Sequence, residues 1–174
     1  LIAGPFAARM FAEFGAEVIK VEDPKGGDPI RNWRYLHEGT SLWWYVQARN
    51  KKSIALNLKD PRAQEIARTL ALDADVVIEN YRPGVLAKHG FGWEALHARF
   101  PRLVLASISG FGQTGPDAAK GGFDLVAQGM SGIMSVTGQP DGPPVKAGVP
   151  ITDLGAGLFA LSGILAALHW RATS

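Results

Sequence analysis

The feature that most constrains the fold is a recurrence. Short runs of β-branched and aliphatic residues return along the chain with helix-length segments between them. "AEVIKVE" (16–22), "KSIALNL" (52–58), "DVVIEN" (75–80) and "RLVLASIS" (102–109) each read as a strand. Ahead of the first, Pro5 suits a first helical turn and Phe6, Met10 and Phe11 make a helical stripe ending at Gly15. Asp60-Pro61 reads as an N-cap followed by a first-turn proline, and Ile66 and Leu70 carry that helix toward the third strand. "NYRPG" (80–84) is a turn and "WEALHARF" (93–100) a short helix, with a glycine-rich loop from the last strand to about Gly122. Strands separated by helices predict an α/β fold built on a parallel sheet. No repeat, low-complexity tract or linker divides the chain, so residues 1–174 read as a single domain.

Composition removes several classes of function. With 47% hydrophobic and 20% charged residues the chain has the balance of a globular domain able to bury a core. Its 18 basic and 16 acidic residues leave +2, and the densest basic cluster is only "RNKK" (49–52), so no nucleic-acid footprint stands out. Cysteine is absent, which removes disulfides, thiolate metal sites and thiol nucleophiles and favours a reducing, cytoplasmic setting. The most apolar stretch, 154–168, is short for a bilayer and broken by Gly155, Gly157 and Gly163, so it is expected to be a buried helix rather than a membrane span. The opening "LIAGPF", without Met, and the stop just after a helix-like run suggest a piece of a longer protein.

Among motifs, "GFGQTG" (110–115) is a literal G-x-G-x-x-G after a strand. Dinucleotide binding needs a helix at once and an acid at the end of the next strand; Pro116 and Gly121-Gly122 break the helix, and Ser131 to Val136 carries no acid. A loop is expected there. His37, His89, His97 and His169 show no metal-ligand spacing, so no metal is expected. Trp33, Trp43 and Trp44 lie in a polar, aromatic-rich segment suited to a cleft wall or a packing surface. Asp153 is a lone carboxylate opening a run of small and apolar residues; the plain reading is that it, or Thr152, caps a helix beginning near Leu154.

Six ordered blocks carry a resemblance. "AGPFAARMFAEFGAEVIKVEDPKGGD", "NKKSIALNLKD", "VVIENYRPGVLAKHGFGWEAL", "PRLVLASISGFGQTGP", "FDLVAQGMSGIMSVTG" and "DLGAGLFALSGILAAL" closely resemble, in order, the N-terminal part of the class III coenzyme A transferases. Formyl-CoA and carnitine-CoA transferases belong there, with α-methylacyl-CoA racemases as relatives. The resemblance implies an open Rossmann-like parallel sheet with crossover helices, and an interlocked homodimer. It also implies that a short N-terminal strand and a larger C-terminal part complete the protein, so that some apolar surface is left uncovered without them.

By the same resemblance the acid at Asp153 is the nucleophile, and coenzyme A, arriving as an acyl-CoA, is held by Leu56, Asn57, Leu58 and Lys59, by Asn80, Tyr81 and Arg82, and by Lys88. The "LIAGP" start, with Ala3, implies an approach to the adenine end, and Gly121, Gly122, Phe123 and Asp124 complete the implied binding set. The implied partners are an acyl-CoA and a carboxylic acid, with neither nucleic acid nor membrane. The chemistry suits such a ligand, since Lys59, Arg82 and Lys88 can pair with phosphates while Asn80 and turn amides donate hydrogen bonds. Two positions depart from the pattern: Asp23 stands where some members carry an Arg, and Ile2 where formyl-CoA transferases place a Gln. Racemases carry a His where Phe123 stands, and phenylalanine cannot exchange protons, which favours transferase. A racemase or a non-catalytic CoA-binding protein are the alternatives.

Overall fold

The computed structural model describes residues 1–174. Helix α1 (Ala3–Glu13) begins two residues ahead of Pro5, so the proline sits within the first turn, where its missing N–H costs nothing. Strand β1 (Val18–Glu22) follows, then a 3₁₀ turn (Pro29–Asn32), a hairpin of β2 (Leu36–His37) and β3 (Thr40–Ser41), and helix α2 (Leu42–Gln47). Strand β4 (Lys51–Ala55), helix α3 (Pro61–Leu72), strand β5 (Val76–Glu79), helices α4 (Val85–Lys88) and α5 (Trp93–Arg99) and strand β6 (Val104–Ser107) complete the alternation. Helix α6 (Asp124–Met130), a 3₁₀ turn (Ile133–Val136) and the long helix α7 (Ile151–Thr173) close the chain.

The β2–β3 hairpin is antiparallel, while the four longer strands, β1, β4, β5 and β6, are parallel and their crossovers helical, as the alternation predicts. Within these residues they form two separate ladders, β1 beside β4 (Val18 opposite Lys51) and β5 beside β6 (Val76 opposite Val104), with no hydrogen bond joining the pairs. A shared apolar core joins them, with Val21 and Ile54 of one pair and Val77 and Leu105 of the other packed against it, and α1 adds polar links. The Asn80 side chain, at the end of β5, accepts the Gly4 N–H through Oδ1 (3.2 Å) and donates Nδ2 to the Ile108 carbonyl (2.7 Å) beyond β6. On the other side Lys51 of β4 donates Nζ to the Pro5 and Gln47 carbonyls, each at 2.6 Å. Burial holds the Lys51 ammonium down at about 8, with the positive charges of Lys20 and Arg9 adding to the effect and Asp28 opposing it.

The Asp60 carboxylate caps α3 through the Arg62 N–H (2.9 Å), with Pro61 at the first position, as expected. The buried face of α3, however, is Ala63, Ala67 and Ala71, while Ile66 is exposed. Small residues bring α3 close to Leu56, Phe91, Leu96, Phe100 and Leu103, which form the main core. Helix α7 runs along α1 and β6 and is pinned at its far end, where Arg171 donates to the Arg102 carbonyl (2.8 Å) and to Asp75 (2.5 Å). It overturns the expectation of a buried helix: only Gly157 and Ile164 are buried, and Leu158, Phe159, Leu165 and Trp170 are exposed. At 23 residues it also exceeds the stretch read from sequence and is long and apolar enough to cross a membrane by length and composition, although it packs here against α1. The uncovered apolar face agrees with the surface expected to be left open.

At the carboxyl end of β1, Glu22 is buried and accepts Arg31 Nε and Nη2 (both 2.9 Å), Ser53 Oγ (2.5 Å) and the Asp28 N–H (2.8 Å). Burial pushes its carboxyl up, but the hydrogen bonds and charge outweigh that and hold it down at about 2 against an ordinary 4.5. A depressed folded-state value contributes stability above pH 4.5 that is lost as pH falls toward 2. Glu22→Gln should therefore remove roughly 3 kcal/mol at neutral pH. Urea denaturation across acid pH should show a stability decline in the wild type and a flatter profile in the variant; parallel profiles would deny Glu22 this role.

Candidate active site

Helix α7 begins at Ile151, three residues before the expected start, which places Asp153 inside its first turn rather than at its cap. The orphan amides of that turn need an acceptor. It comes from another element: Asp124, the first residue of α6, accepts the Thr152 N–H (3.0 Å), the Thr152 hydroxyl (2.7 Å) and the Asp153 N–H (3.4 Å) on one oxygen. Its other oxygen accepts Gln128 Nε2 at 2.6 Å. The plain reading of Asp153 as the helix cap is thus corrected. Asp124 does the capping, and the Asp153 carboxyl makes no hydrogen bond within the chain.

The two acids are driven in opposite directions. Burial pushes Asp124 up, but the hydrogen bonds from Thr152, Gln128 and Asp153 prevail and hold it below the ordinary carboxylate range. Asp153 is pushed above that range, first by burial and then by the negative charge of Asp124. A helix N-terminus alone would have held it down. Two carboxyls whose environments separate them in this way have distinct tasks.

Of the second half of the expected binding set, Arg82 is brought beside Gly121, and Gly121, Gly122 and Phe123 lead directly into Asp124. Asn80 reaches α1 as described, so its amide oxygen and one of its two Nδ2 hydrogens are committed to the scaffold. The Arg82 guanidinium lies over Gly121, where a Cβ would come within 3.2 Å of Nη2. Gly122 lies back to back with Gly110, so closely that a side chain on either would collide with the other's backbone. That contact accounts for the first glycine of "GFGQTG" without any nucleotide, and the segment is a loop as expected. Phe123 is 72% exposed. Tyr81 is pushed up by burial and then by the negative charges of Glu79, Asp28 and Asp23, so its phenol lies within electrostatic reach of the loop after β1. Arg82, Lys88 on α4 and Lys59 after β4 are exposed and form no ion pair.

Other expected contacts point into the fold. Leu56 is a core residue and Leu58 packs against that core. Ala3 is buried under α7, where a Cβ on Gly157 would come within 2.9 Å of its carbonyl oxygen. Leu56, Leu58 and Ala3 therefore offer a ligand backbone atoms only. Gly157 serves helix packing, whereas Gly155, beside Asp153, has open space around it. Asn57 turns the chain by accepting the Lys59 N–H (3.2 Å).

A cavity of about 320 Å³ opens at the carboxyl ends of β1 and β4 between Glu22, Asp23, Gly26, Gly27, Arg31 and Ser53. The sequence reading passed over the last four, although "DPKGGDP" directly after a strand is the signal of a loop that shapes a strand-end cleft. Trp44 stacks on the Arg31 guanidinium at 3.5 Å, while Trp43 lines a smaller apolar hollow with Leu42 and Val46. No three His, Asp or Glu side chains converge as metal ligands do.

An α/β domain with parallel strands, exposed cations at its turns and a carboxylate relieved of capping is the class these features define. The chain belongs to CoA-transferase family III, whose model matches residues 1–174. It is similar to the succinyl-CoA–D-citramalate CoA-transferase of Chloroflexus aurantiacus, at 50% identity over 99% of this chain and 43% of that protein. To the succinyl-CoA:glutarate CoA-transferase of Mus musculus it is 47% identical over 98% of this chain and 39% of that one. A CaiB/BaiF family protein from Brucella suis superposes with a TM-score of 0.94 at 41% identity, over 99% of this chain and 47% of the other. The chain thus spans less than half the length of each.

The opposition of Asp124 and Asp153 predicts that Asp124→Asn, which keeps an oxygen for the α7 amides and removes the charge, lowers the Asp153 titration midpoint. Carboxyl ¹³C NMR reads this directly, and an unmoved midpoint would leave burial as the whole cause.

Proposed function

We propose that the protein transfers coenzyme A from an acyl-CoA thioester to a carboxylic acid, with Asp153 as the covalent relay. The observation that carries this reading is the Asp153 carboxyl, set in a first helical turn, free of hydrogen bonds and made more basic by burial and by Asp124. A more basic carboxylate is a stronger nucleophile while it stays ionised. It attacks the thioester carbonyl; collapse of the tetrahedral adduct expels the CoA thiolate and leaves a mixed anhydride. The thiolate attacks the aspartyl carbonyl, releases the donor acid and forms an aspartyl-CoA thioester. The acceptor carboxylate attacks that thioester and expels the thiolate again, which then takes the acceptor's acyl group and restores Asp153. Every step passes on an activated acyl group, which suits a carboxylate better than a hydroxyl, whose ester would dissipate the thioester energy.

The names of both relatives contain succinyl-CoA and a dicarboxylic acid, so succinyl-CoA with glutarate or citramalate heads the substrate panel. Phe123 supports transfer over racemisation, because a second proton-exchanging group is missing at that position. An interlocked homodimer in a reducing, cytoplasmic setting accompanies this reading. Asp153→Ala in the full-length protein should abolish thioester exchange, and hydroxylamine with mass spectrometry should trap an adduct on Asp153 of the wild type during turnover. Retained exchange, with no adduct, would leave a CoA-binding protein without this chemistry.

The phosphates of CoA are assigned to Arg82, Lys88 and Lys59. Replacing Arg82 and Lys88 by Ala should weaken CoA binding by roughly tenfold or more and flatten its salt dependence. Unchanged affinity by calorimetry would move the phosphates elsewhere.

A further inference from the structure

Gln128 is fully buried, on the side of α6 that faces the segment leading into α7. A primary amide at a dry position is unfavourable unless bonded. This one is bonded three ways: Nε2 donates to Asp124 (2.6 Å) and more weakly to the Val149 carbonyl (3.4 Å), and Oε1 accepts the Ala147 N–H (2.8 Å). One side chain thus holds both things that place Asp153, the carboxylate capping α7 and the backbone from which α7 departs. Asp124 and Gln128 are four residues apart, so both project from one face of α6.

The amide is also neutral. A lysine or arginine in its place would hold Asp124 equally ionised but cancel its charge. With Gln128 the negative charge of Asp124 persists beside Asp153.

We infer that Gln128 is a positioning residue for Asp153, acting through the orientation of Asp124 and the anchoring of residues 147–149, without touching substrate. This rests on the reading of Asp153 as the acyl-accepting carboxylate. Gln128→Met keeps the volume and removes the bonds. In the full-length enzyme it should lower kcat by about 10- to 100-fold, as expected for a misplaced reacting group, with KM for acyl-CoA within about twofold. Gln128→Glu keeps the acceptor for Ala147. Its protonated carboxyl can still donate to Asp124, so this variant should work at acid pH and lose activity as pH rises and the two carboxylates repel, with circular dichroism unchanged. The wild type should show no such alkaline loss. Two active, wild-type-like variants, or losses confined to KM, would overturn the inference. Asp153→Ala assayed beside them separates the two readings: an inactive Asp153→Ala with active Gln128 variants defeats only the role of Gln128, whereas an active Asp153→Ala defeats both.

Discussion

The architecture depends on how α1 is held. Two parallel strand pairs that share no ladder are held together by the core packed against both, and α1 adds polar links through the Asn80 amide on one side and the Lys51 ammonium on the other. Each anchor is a side chain bonded to helix backbone near the α1 N-terminus, which suits groups that lack partners within the helix or have lone pairs to spare. Helix α7 then seats on α1 so closely that a Cβ on Gly157 would collide with Ala3 and Phe6. The position of Asp153, one turn earlier in α7, is inherited from that seat.

Two acids at strand and helix ends show how environment assigns work. Glu22 is wrapped by a bidentate arginine, a hydroxyl and an amide, and all of its acceptor capacity is committed to tying β1, β4 and the intervening loop. Asp153 has no cationic side chain in an ion pair and no donor, and lies beside another carboxylate. Committed acids hold structure, while an acid left basic and uncommitted is suited to chemistry. Asp124 falls between the two. It is structural by its bonds to α7, and its charge bears on the Asp153 carboxyl.

Much of this was legible in the residues. The four strands, the Asp60-Pro61 cap and the α5 helix were readable because local patterns determine them, and the glycine-rich loop was separable from a dinucleotide fold because no helix could follow it. Family blocks pointed to Asp153 and to the turns bearing Arg82 and Lys88. What stayed hidden depends on distant residues. Helix α4, at four residues, is too short to show a period. The cap of α7 comes from 29 positions earlier, so Asp153 looked like its own cap. The scaffold role of Asn80 was hidden because its two backbone partners, Gly4 and Ile108, lie far along the chain. Leu56 and Leu58 belonged to a core whose other half is α3 and α5.

Helix α7 is gripped at both ends, by Asp124 at its start and by Asp75 and the Arg102 carbonyl near its finish. A rod clamped in this way cannot slip by a turn of about 5.4 Å or rotate by a residue without breaking both grips and the Gly157 seat. Its remaining freedom is to bow, and bowing moves the middle far more than the ends. The exposed central stretch of Leu158, Phe159 and Leu165 is the part left to bow, and Asp153 sits at the gripped end, away from it.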